Sequence, residues 1–394
     1  MVAGAAAAAG IAILRQTLHD PRASVRIPEL FRESRSLNSR ARREARERVY
    51  GVVRSHALLE AMLRASGWNG EDAGRALWLQ LAVLHGHPAE EAAATGLARF
   101  DAHPYDVLPA DPAQARALLA SLPQWLAKQV DDQFALACGE RAPLTVRVNP
   151  RLCTREDAAR ELAAFEPVFG TLSPFALHLN GQVRDTPAWR QGRIEVQDEG
   201  SQLIAELVRP PRRSRVLDYC AGAGGKALAI AATAPKRCTV HVYDVRSKAL
   251  AQAVKRARRA GVTLSRELPD LAQRVLVDAP CTGSGTLRRD PARRFRLSED
   301  YLREMVALQR TVLRAAADRV APGGRLIYAT CSVSPEENEG QLDWLRSALD
   351  WPVVPIKEVL GRERAEGIGE GGVLRVGPAT HGTDGFYAVL LQRP

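Results

Sequence analysis

A glycine-rich turn between a buried strand and an alanine-rich helix constrains the fold of this chain more than any other feature. The hydrophobic segment Val216-Leu-Asp-Tyr leads into Cys220-Ala-Gly-Ala-Gly-Gly-Lys226, and a helical pattern follows. Small residues at such a turn let a ligand approach the backbone closely, at the end of a helix that attracts polar groups. We therefore predict a nucleotide-like ligand at this turn. The residues predicted to bind it are Cys220, Ala221, Gly222, Ala223, Gly224, Gly225 and Lys226.

Strand and helix patterns alternate from residue 197 to the end of the sequence. Further buried strands are predicted at 240–244, 275–278, 325–330 and 385–391. This alternation predicts an α/β fold with a doubly wound, largely parallel sheet. The ligand of such a sheet lies at the carboxyl ends of the strands.

The first half of the chain has a different pattern. Residues 1–141 carry apolar residues at helical spacing with almost no alternation, which predicts a helical amino-terminal domain. Residues 142–200 show a strand, a helix and a strand, and Thr154 with Asp157 forms a helix-start signal, so a small α+β module is predicted there. Residues 201–394 form the predicted α/β domain.

Composition narrows the class of protein. With 46% hydrophobic residues and no run of 18 uncharged apolar residues, the sequence is not that of a membrane-spanning protein. Residues 1–14 lack the basic segment of an export signal. Six scattered cysteines without a Cys-x-x-Cys pair favour free thiols. We therefore expect a cytoplasmic protein without a metal site.

The net positive charge of the sequence favours a partner that carries phosphate but does not establish one. The net charge is +10, and arginine, which binds phosphate well, is far commoner than lysine. A GC-rich coding sequence would enrich arginine equally well. The arginines between residues 32 and 54 are similarly ambiguous, and a solvated helix face is weighed slightly above contact with RNA.

The glycine-rich turn alone leaves its ligand open. A Walker A phosphate loop is excluded, because Cys220 stands where that motif has its first glycine and Ala227 follows the lysine. Gly222 and Gly224, with Ala227, fit a dinucleotide-binding pattern. Asp244 follows the next strand, where an acid binds a ribose. Both NAD and S-adenosylmethionine use such an acid, so Asp244 does not separate them.

Two cysteines directly follow predicted strand ends. Cys281 lies in Asp278-Ala-Pro-Cys-Thr-Gly-Ser-Gly285, and Cys331 lies in Thr330-Cys-Ser332. Methylation of a pyrimidine at C5 needs such thiols, because a thiolate that adds to C6 makes C5 able to accept a methyl group from a sulfonium. A second cysteine and a carboxylate are suited to protonation and release. We predict that Asp278 holds the edge of the base and that Lys226 favours a thiolate.

Six motifs occur in a fixed order along residues 142–394. They are Arg147-Val-Asn-Pro150, Gln197-Asp-Glu-Gly-Ser-Gln202, Cys220-Ala-Gly-Ala-Gly-Gly-Lys226, Asp278-Ala-Pro-Cys-Thr-Gly-Ser-Gly285, Thr330-Cys-Ser332 with Glu336-Glu-Asn-Glu339, and Asp384-Gly-Phe386. Together they resemble the RsmB/Nop/Sun group of RNA 5-methylcytosine methyltransferases, which use S-adenosyl-L-methionine. The resemblance implies that Cys331 is the nucleophile and that Cys281 assists release.

The resemblance also implies a fold and a substrate. It predicts a Rossmann-like methyltransferase sheet with an antiparallel last strand, preceded by an α+β RNA-recognition module and an α-helical domain that binds RNA. The implied substrate is small-subunit 16S rRNA, with tRNA as the alternative, and the implied oligomeric state is a monomer. Arg288, Arg289 and Arg294 resemble an arginine tract of the family that is expected to contact phosphate.

The sequence departs from the family at three places, one of which is Gln273-Arg274 in place of the usual aspartate before the strand at 275–278. Ala227 replaces the usual threonine, and the segment 261–274 is shorter than usual, so that Asp270 is by position the candidate acid for adenine. Two other functions stay open. A ribosome-assembly factor that only binds RNA would not require Cys281, Cys331 and their neighbours. An NAD-dependent dehydrogenase would leave both cysteines unexplained.

Overall fold

The computed structural model describes residues 4–19, 26–34, 37–68, 72–84 and 104–394. The chain forms two compact units, and the first of them consists of Met1–Arg141 with Thr286–Tyr301. The second unit consists of Ala142–Gly285 with Leu302–Pro394. No helix in the described ranges combines the length and the apolar composition that crossing a membrane requires.

The first unit is built from helices. Within its described residues, the α-helices are α1 (Gly4–His19), α2 (Ile27–Glu33), α3 (Ser39–Arg54), α4 (His56–Ala65), α5 (Ala73–Leu84), α6 (Pro112–Leu119), α7 (Gln124–Ala127) and α8 (Asp132–Gly139). Asn38, Asp111 and Asp131 cap α3, α6 and α8, because each side chain accepts a hydrogen bond from a backbone N–H of the first turn. The apolar sides of α1 to α5 meet in one hydrophobic core that contains Trp78 and Leu59.

A segment from the second half of the sequence completes this unit. Within Thr286–Tyr301, Ala292 enters the hydrophobic core of the helices. The ring of Phe295 packs edge-on against His56, with 5.4 Å between the ring centroids. The segment lies inside the range 201–394 that the sequence pattern predicts as one domain, so that prediction is corrected here. A pattern of local periodicity carries no information on contacts between residues more than 200 positions apart in sequence.

A small antiparallel sheet begins the second unit. Its strands are β1 (Leu144–Val148), β2 (Val168–Phe169), β3 (Ala176–Leu179) and β4 (Ile194–Val196), in the spatial order β2-β3-β1-β4. Helix α9 (Arg155–Glu161) connects β1 to β2, and α10 (Pro187–Arg190) connects β3 to β4. This β-α-β-β-α-β connection is that of ferredoxin-like folds. Thr154 and Asp157 form the predicted capping box at the start of α9.

A large mixed sheet forms the rest of the second unit. Its strands are β5 (Arg215–Asp218), β6 (Thr239–Val242), β7 (Ala272–Asp278), β8 (Val320–Thr330), β9 (Gly369–Glu370), β10 (Val373–Val376) and β11 (Phe386–Gln392). The spatial order is β6-β5-β7-β8-β11-β10-β9. Strands β5 to β8 are parallel, and β11 runs antiparallel to β8. The α/β sheet with an antiparallel last strand is confirmed, whereas the short strands β9 and β10 beyond β11 are not predicted.

Helices cover both faces of this sheet. They are α11 (Glu199–Val208), α12 (Gly225–Thr233), α13 (Ser247–Arg259), α14 (Glu299–Ala317), α15 (Glu339–Leu349), α16 (Ile356–Leu360), α17 (Arg362–Ala365) and α18 (Pro378–His381). Along β7, Leu276 packs with α11 to α13, while Val275 and Val277 pack with α14 and α15. Neighbouring residues of a strand point to opposite faces, so a continuous apolar run is what a strand covered on both sides needs.

Short 3₁₀ helices interrupt the connections between these elements. They lie at Pro104–Val107, Ala163–Phe165, Ser284–Thr286, Pro291–Arg296 and Pro335–Glu337. The helix at Ser284–Thr286 follows the Cys281 loop, and the helix at Pro335–Glu337 follows the Cys331 loop. Both therefore help to shape the edge of the sheet where the cysteines lie.

Candidate active site

Three parallel strands end at one edge of the large sheet. Asp218, Asp278 and Thr330 are the last residues of β5, β7 and β8, and β7 pairs with both of its neighbours in parallel. Cys281 follows the end of β7 by three residues, and Cys331 follows the end of β8 by one. The fold thus brings the glycine loop and both predicted cysteines to the same edge.

The glycine loop is tightly folded against helix α13. Gly222 and Gly224 have φ of 53° and 80°, in the left-handed region that glycine adopts without strain. A Cβ on Gly224 would lie 2.7 Å from the Cβ of Ala253 on α13. Gly225, the first residue of α12, has open space around the position of a Cβ. The loop therefore presents bare backbone at the start of α12, where a ligand can approach closely.

Asp244 is joined to this loop. Its carboxylate accepts a hydrogen bond from the backbone N–H of Gly222 at 2.8 Å and two hydrogen bonds from the Arg246 guanidinium at 2.9 Å. Burial disfavours the charged form of Asp244, but the hydrogen bonds from Arg246 and Gly222 outweigh burial and lower its pKa. An ionised acid beside the glycine loop is suited to accept hydrogen bonds from ribose hydroxyl groups. Arg246 is a partner of this acid that the sequence analysis did not single out.

A partly buried ion pair lies between the glycine loop and the cysteines. The Lys226 ammonium is 2.6 Å from a carboxylate oxygen of Asp278 and lies over the ring of Phe386, 5.3 Å from its centroid. Burial alone would lower the pKa of Lys226, but the charge and hydrogen bond of Asp278, together with the charges of Cys331 and Asp218, outweigh burial and raise that pKa. Lys226 therefore stays cationic, and it fixes the Asp278 carboxylate at the end of β7.

Asp218 is a candidate site residue that the sequence analysis missed. It is 1% exposed, and its Oδ1 atom has no hydrogen-bond partner among the described residues. Burial and the negative charge of Asp278 raise the pKa of Asp218 to about 7. A buried carboxyl oxygen without a partner is costly, so it marks a place where a ligand donor is expected. The only sequence signal was its position as the last strand residue before the glycine turn.

The two predicted cysteines face each other. Their sulfur atoms are 3.4 Å apart, within hydrogen-bond range for thiols. The hydrogen bond to Cys331 and burial together raise the pKa of Cys281 well above its ordinary value. The raised pKa favours a protonated Cys281, whose thiol is then able to donate to the Cys331 sulfur. Cys220 also remains a thiol, because burial and the charge of Asp218 raise its pKa.

Glu337 and Asn338 hold the two cysteine loops. Glu337 is fully buried and accepts hydrogen bonds from the backbone N–H of Thr282, at 2.8 Å, and from the amide of Gln309, at 2.9 Å. Asn338 accepts a hydrogen bond from the Thr330 hydroxyl at 2.7 Å and donates to the carbonyl of Ser332 at 3.0 Å. Each cysteine thus has a neighbour fixed by this pair. The motif was visible in the sequence, but its contacts were not.

Backbone contacts join the same loops directly. The N–H of Gly285 donates to the carbonyl of Cys331 at 3.0 Å, and the N–H of Gly385 donates to the carbonyl of Gly285 at 2.8 Å. A Cβ on Gly285 would lie 2.3 Å from the Gly385 carbonyl oxygen. The loops after β7 and β8 and the turn before β11 therefore meet without any side chain between them.

Comparison with known proteins identifies the family. Residues 205–392 match the model of a family described as 16S rRNA methyltransferase RsmB/F. A probable ribosomal RNA small subunit methyltransferase B from Bacillus subtilis is 30% identical over 311 residues, which cover 72% of this chain and 69% of that protein. The chain belongs to the RsmB/F methyltransferase family. A probable ribosomal RNA small subunit methyltransferase B from Synechocystis is 28% identical and covers 69% of this chain and 67% of its own length.

Solved structures share the fold of this RsmB/F family member. The structure of PH0851 superposes with a TM-score of 0.78 over 100% of this chain and 99% of its own, at 24% identity. A methyltransferase homolog protein from Pyrococcus horikoshii gives a TM-score of 0.60 over 71% of this chain and 98% of its own, at 23% identity. At these identities the two likenesses show the fold alone.

The cofactor of this methyltransferase is S-adenosylmethionine, as predicted. The residues of the site fit it. Asp244 offers an ionised carboxylate beside the backbone of Gly222, Gly225 leaves room at the start of α12, and Asp218 has an oxygen without a partner. Membership of a methyltransferase family excludes the NAD-dependent dehydrogenase that the glycine turn alone allowed.

Asp270 is not part of this site. It is fully exposed and precedes the first residue of β7 by two positions, so it lies at the amino-terminal end of that strand. The glycine loop and the cysteines lie at the carboxyl ends. Asp270 instead lies 3.7 Å from the Arg319 guanidinium. The prediction that Asp270 contacts adenine is therefore wrong, because position in the sequence between α13 and β7 does not reveal the edge of the sheet.

The predicted arginine tract belongs to the first unit. Arg294 is 6% exposed, and its guanidinium donates to the backbone carbonyls of Ala120, at 2.9 Å, and Cys138, at 2.7 Å. Burial lowers the pKa of Arg294 to about 10, so it remains charged at neutral pH. This placement corrects the prediction that Arg294 contacts RNA, since its donors already hold the protein backbone. Arg288 is 5% exposed, whereas Arg289 is exposed.

Proposed function

We propose that this chain transfers the methyl group of S-adenosylmethionine to C5 of a cytidine in 16S rRNA. The observation that carries the proposal is the pair of thiols 3.4 Å apart, beside the Lys226–Asp278 ion pair. The description of the matched family and the names of the relatives, ribosomal RNA small subunit methyltransferase B, support 16S rRNA as the substrate.

Cys331 is the nucleophile of the proposed reaction. Cys281 retains its proton and donates it in a hydrogen bond to the Cys331 sulfur, which stabilises negative charge on Cys331. The Lys226 ammonium adds positive charge close to Cys331. The Cys331 thiolate forms a bond to C6 of the cytosine, and the electron pair of the C5=C6 bond becomes available at C5. S-adenosylmethionine supplies an electrophilic methyl group on a sulfonium.

Asp278 positions the base. Its carboxylate is held by Lys226 and retains exposed surface at the end of β7. From this position it accepts a hydrogen bond from the N4 amino group of the cytosine, which favours the iminium-like form of the adduct. C6 is shielded within a stacked helix, so the target cytidine must be single-stranded or flipped out.

Cys281 assists release. Once Cys331 has bonded to C6, the Cys281 thiol has lost the acceptor of its hydrogen bond and gives up its proton to solvent. The Cys281 sulfur then takes the proton from C5, the C5=C6 bond forms again, and the electron pair of the C6–S bond returns to Cys331. The product is 5-methylcytosine, and Cys331 is again a thiolate.

The first test measures transfer of labelled methyl groups to 16S rRNA, small ribosomal subunits and tRNA. We expect wild type to form labelled 5-methylcytosine in 16S rRNA or in the subunit, and Cys331→Ala to lose at least about 10⁴-fold in rate. We expect Cys281→Ala to accumulate a covalent protein–RNA adduct that Cys331→Ala does not form.

Each outcome bears on one part of the proposal. Label confined to tRNA would reject 16S rRNA as the substrate. Label in a nucleotide other than 5-methylcytosine would reject the C5 reaction. Equal adduct formation by the two cysteine variants would contradict the division of roles between them. No label on any RNA, with S-adenosylmethionine still bound, would favour a factor that only binds RNA.

A further inference from the structure

We infer that a basic cleft between helix α13 and the small sheet binds phosphate groups of the RNA substrate. The identity of the ligand, RNA, rests on the proposed function. The geometry of the cleft does not depend on it. The cleft has a volume of about 640 Å³ and is lined by Arg184 and Arg190, from the connection between β3 and β4 of the small sheet, and by Lys255 from α13. All three side chains are exposed. No predicted site residue lies in this cleft.

The single acid of the cleft lining is already neutralised. One oxygen of Glu195 lies 3.1 Å from the Arg256 guanidinium, and the other binds Arg259. Glu195 is buried, so these two ion pairs join β4 to α13 and fix the walls of the cleft. The ring of Trp189 lies against Arg259, whose guanidinium carbon is 3.8 Å from the ring centroid. These contacts therefore fix the walls of the cleft without using Arg184, Arg190 or Lys255.

Three positive charges remain available inside the cleft. Within the described parts of the chain, Arg184, Arg190 and Lys255 form no hydrogen bond or ion pair by their side chains. Cations that line one concave surface repel one another, and the repulsion is relieved when an anion enters. A chain of phosphates suits this arrangement, because three separate cations can each bind one phosphate.

The cleft borders the cofactor loop. Arg256, which lines the cleft, donates a hydrogen bond to the carbonyl of Ala223 in the glycine loop at 2.7 Å. A strand of RNA in the cleft therefore runs next to the loop that binds the cofactor. Phosphate contacts fix the register of a nucleic acid without reading its bases. The cleft would hold the strand that flanks the target cytidine while the base itself is read at Asp278.

The test compares two triple variants with the same change in charge. The cleft variant carries Arg184→Ala, Arg190→Ala and Lys255→Ala. The control variant carries Arg212→Ala, Arg213→Ala and Lys236→Ala, which are exposed residues before β5 and β6, at the opposite edge of the sheet. Binding of a 16S rRNA transcript without cofactor is measured between about 50 and 200 mM salt.

We expect the cleft variant to bind RNA at least tenfold more weakly than wild type. The slope of log Kd against log salt should fall by about 2, because each lost contact with a single-stranded phosphate removes about 0.7. The control variant should retain the wild-type affinity and slope. A charge-preserving variant with Arg184→Lys, Arg190→Lys and Lys255→Arg should restore most of the affinity. Equal losses in the cleft and control variants, or no loss in either, would overturn the inference.

Methyl transfer by the same proteins separates this inference from the proposed function. With both correct, the cleft variant raises KM for RNA, while kcat at saturating RNA and KM for S-adenosylmethionine stay near wild type. A wild-type protein that methylates no RNA but loses binding in the cleft variant alone would reject the proposed function and keep the cleft. Wild-type methylation with unchanged RNA binding and KM in the cleft variant would reject the cleft and keep the proposed function.

Discussion

The buried Arg294 of the first unit and the polar side chains at the edge of the large sheet differ in what they bind. In the first unit, Arg294 donates to the backbone carbonyls of Ala120 and Cys138, which lie 174 and 156 positions before it in sequence. At the edge of the large sheet, Lys226 binds Asp278, and the two cysteine sulfurs bind each other. Side chains bonded to carbonyls hold the chain together. Titratable side chains bonded to one another can exchange protons, and that is where chemistry is expected.

The largest effect on stability is expected at Arg294. Arg294→Ala leaves several buried carbonyls without a donor, so it should lower the free energy of unfolding by about 3 kcal/mol. Arg296 is exposed in the same segment, and Arg296→Ala should change stability by less than about 0.5 kcal/mol. Urea unfolding measures both. If Arg294→Ala leaves unfolding unchanged but weakens RNA binding, Arg294 contacts RNA and does not hold the chain together. Its contrast with the side chains at the edge of the large sheet is then wrong.

An intermediate effect, a fall in kcat, is expected at Glu337. Its carboxylate binds both a backbone N–H and a side-chain amide. Glu337→Gln places an amide against the donors of Thr282 and Gln309, so the Cys281 loop should shift. We expect kcat to fall by about 10- to 100-fold, with KM for S-adenosylmethionine unchanged. Partial accumulation of the covalent RNA adduct should accompany the loss, which a merely structural role would not produce.

Glu336→Gln is the matched control for that experiment. Glu336 is the preceding residue and is exposed, so its variant should retain kcat within about twofold. A fall in kcat equal to that of Glu337→Gln would contradict the positioning role. A loss of stability in Glu337→Gln with normal kcat and no adduct would place Glu337 with the structural side chains.

The smallest effect is expected in the pH dependence of Asp218. Its pKa of about 7 lies above that of an unfolded aspartate, so the protonated form stabilises the folded protein. This contribution is complete below about pH 4 and is lost as pH rises through about 7. Asp218→Asn should remove that part of the pH dependence of unfolding without cofactor.

Binding of S-adenosylmethionine should show the opposite trend. The cofactor is cationic, and it favours ionised Asp218, so its affinity should rise by up to about tenfold as pH passes through 7. Calorimetry at several pH values measures this rise, which should be absent in Asp218→Asn. An affinity that is independent of pH in wild type would show that Asp218 does not face the cofactor.

Local signals in the sequence were sufficient for much of the fold and for the central chemistry. Thr154 with Asp157 predicts the start of α9 because capping involves residues three apart. Cys281 and Cys331 could be placed together because each directly follows a parallel strand, and such strands end at one edge. These inferences needed only the order of elements along the chain.

The features of the fold and of the site that the sequence did not predict depend on contacts between residues that are distant in sequence. Arg294 and Arg289 lie five positions apart in one arginine tract, yet one is buried and the other exposed. Asp270 lies in the expected stretch of sequence but at the opposite edge of the sheet. The cations of the cleft come from α13 and from the connection between β3 and β4, and no motif relates Lys255 to Arg184. Only the packing of the two elements brings their charges together.

The contact between Gly285 and Gly385 has a consequence for mutational scans of this protein. Any side chain at Gly285 would collide with the Gly385 backbone, which cannot move aside as a flexible side chain would. A scan for lost activity would therefore score this glycine as intolerant as the cysteines, although it contributes no reactive atom. At this site, intolerance to substitution reports where two backbones touch as well as where bonds are made and broken.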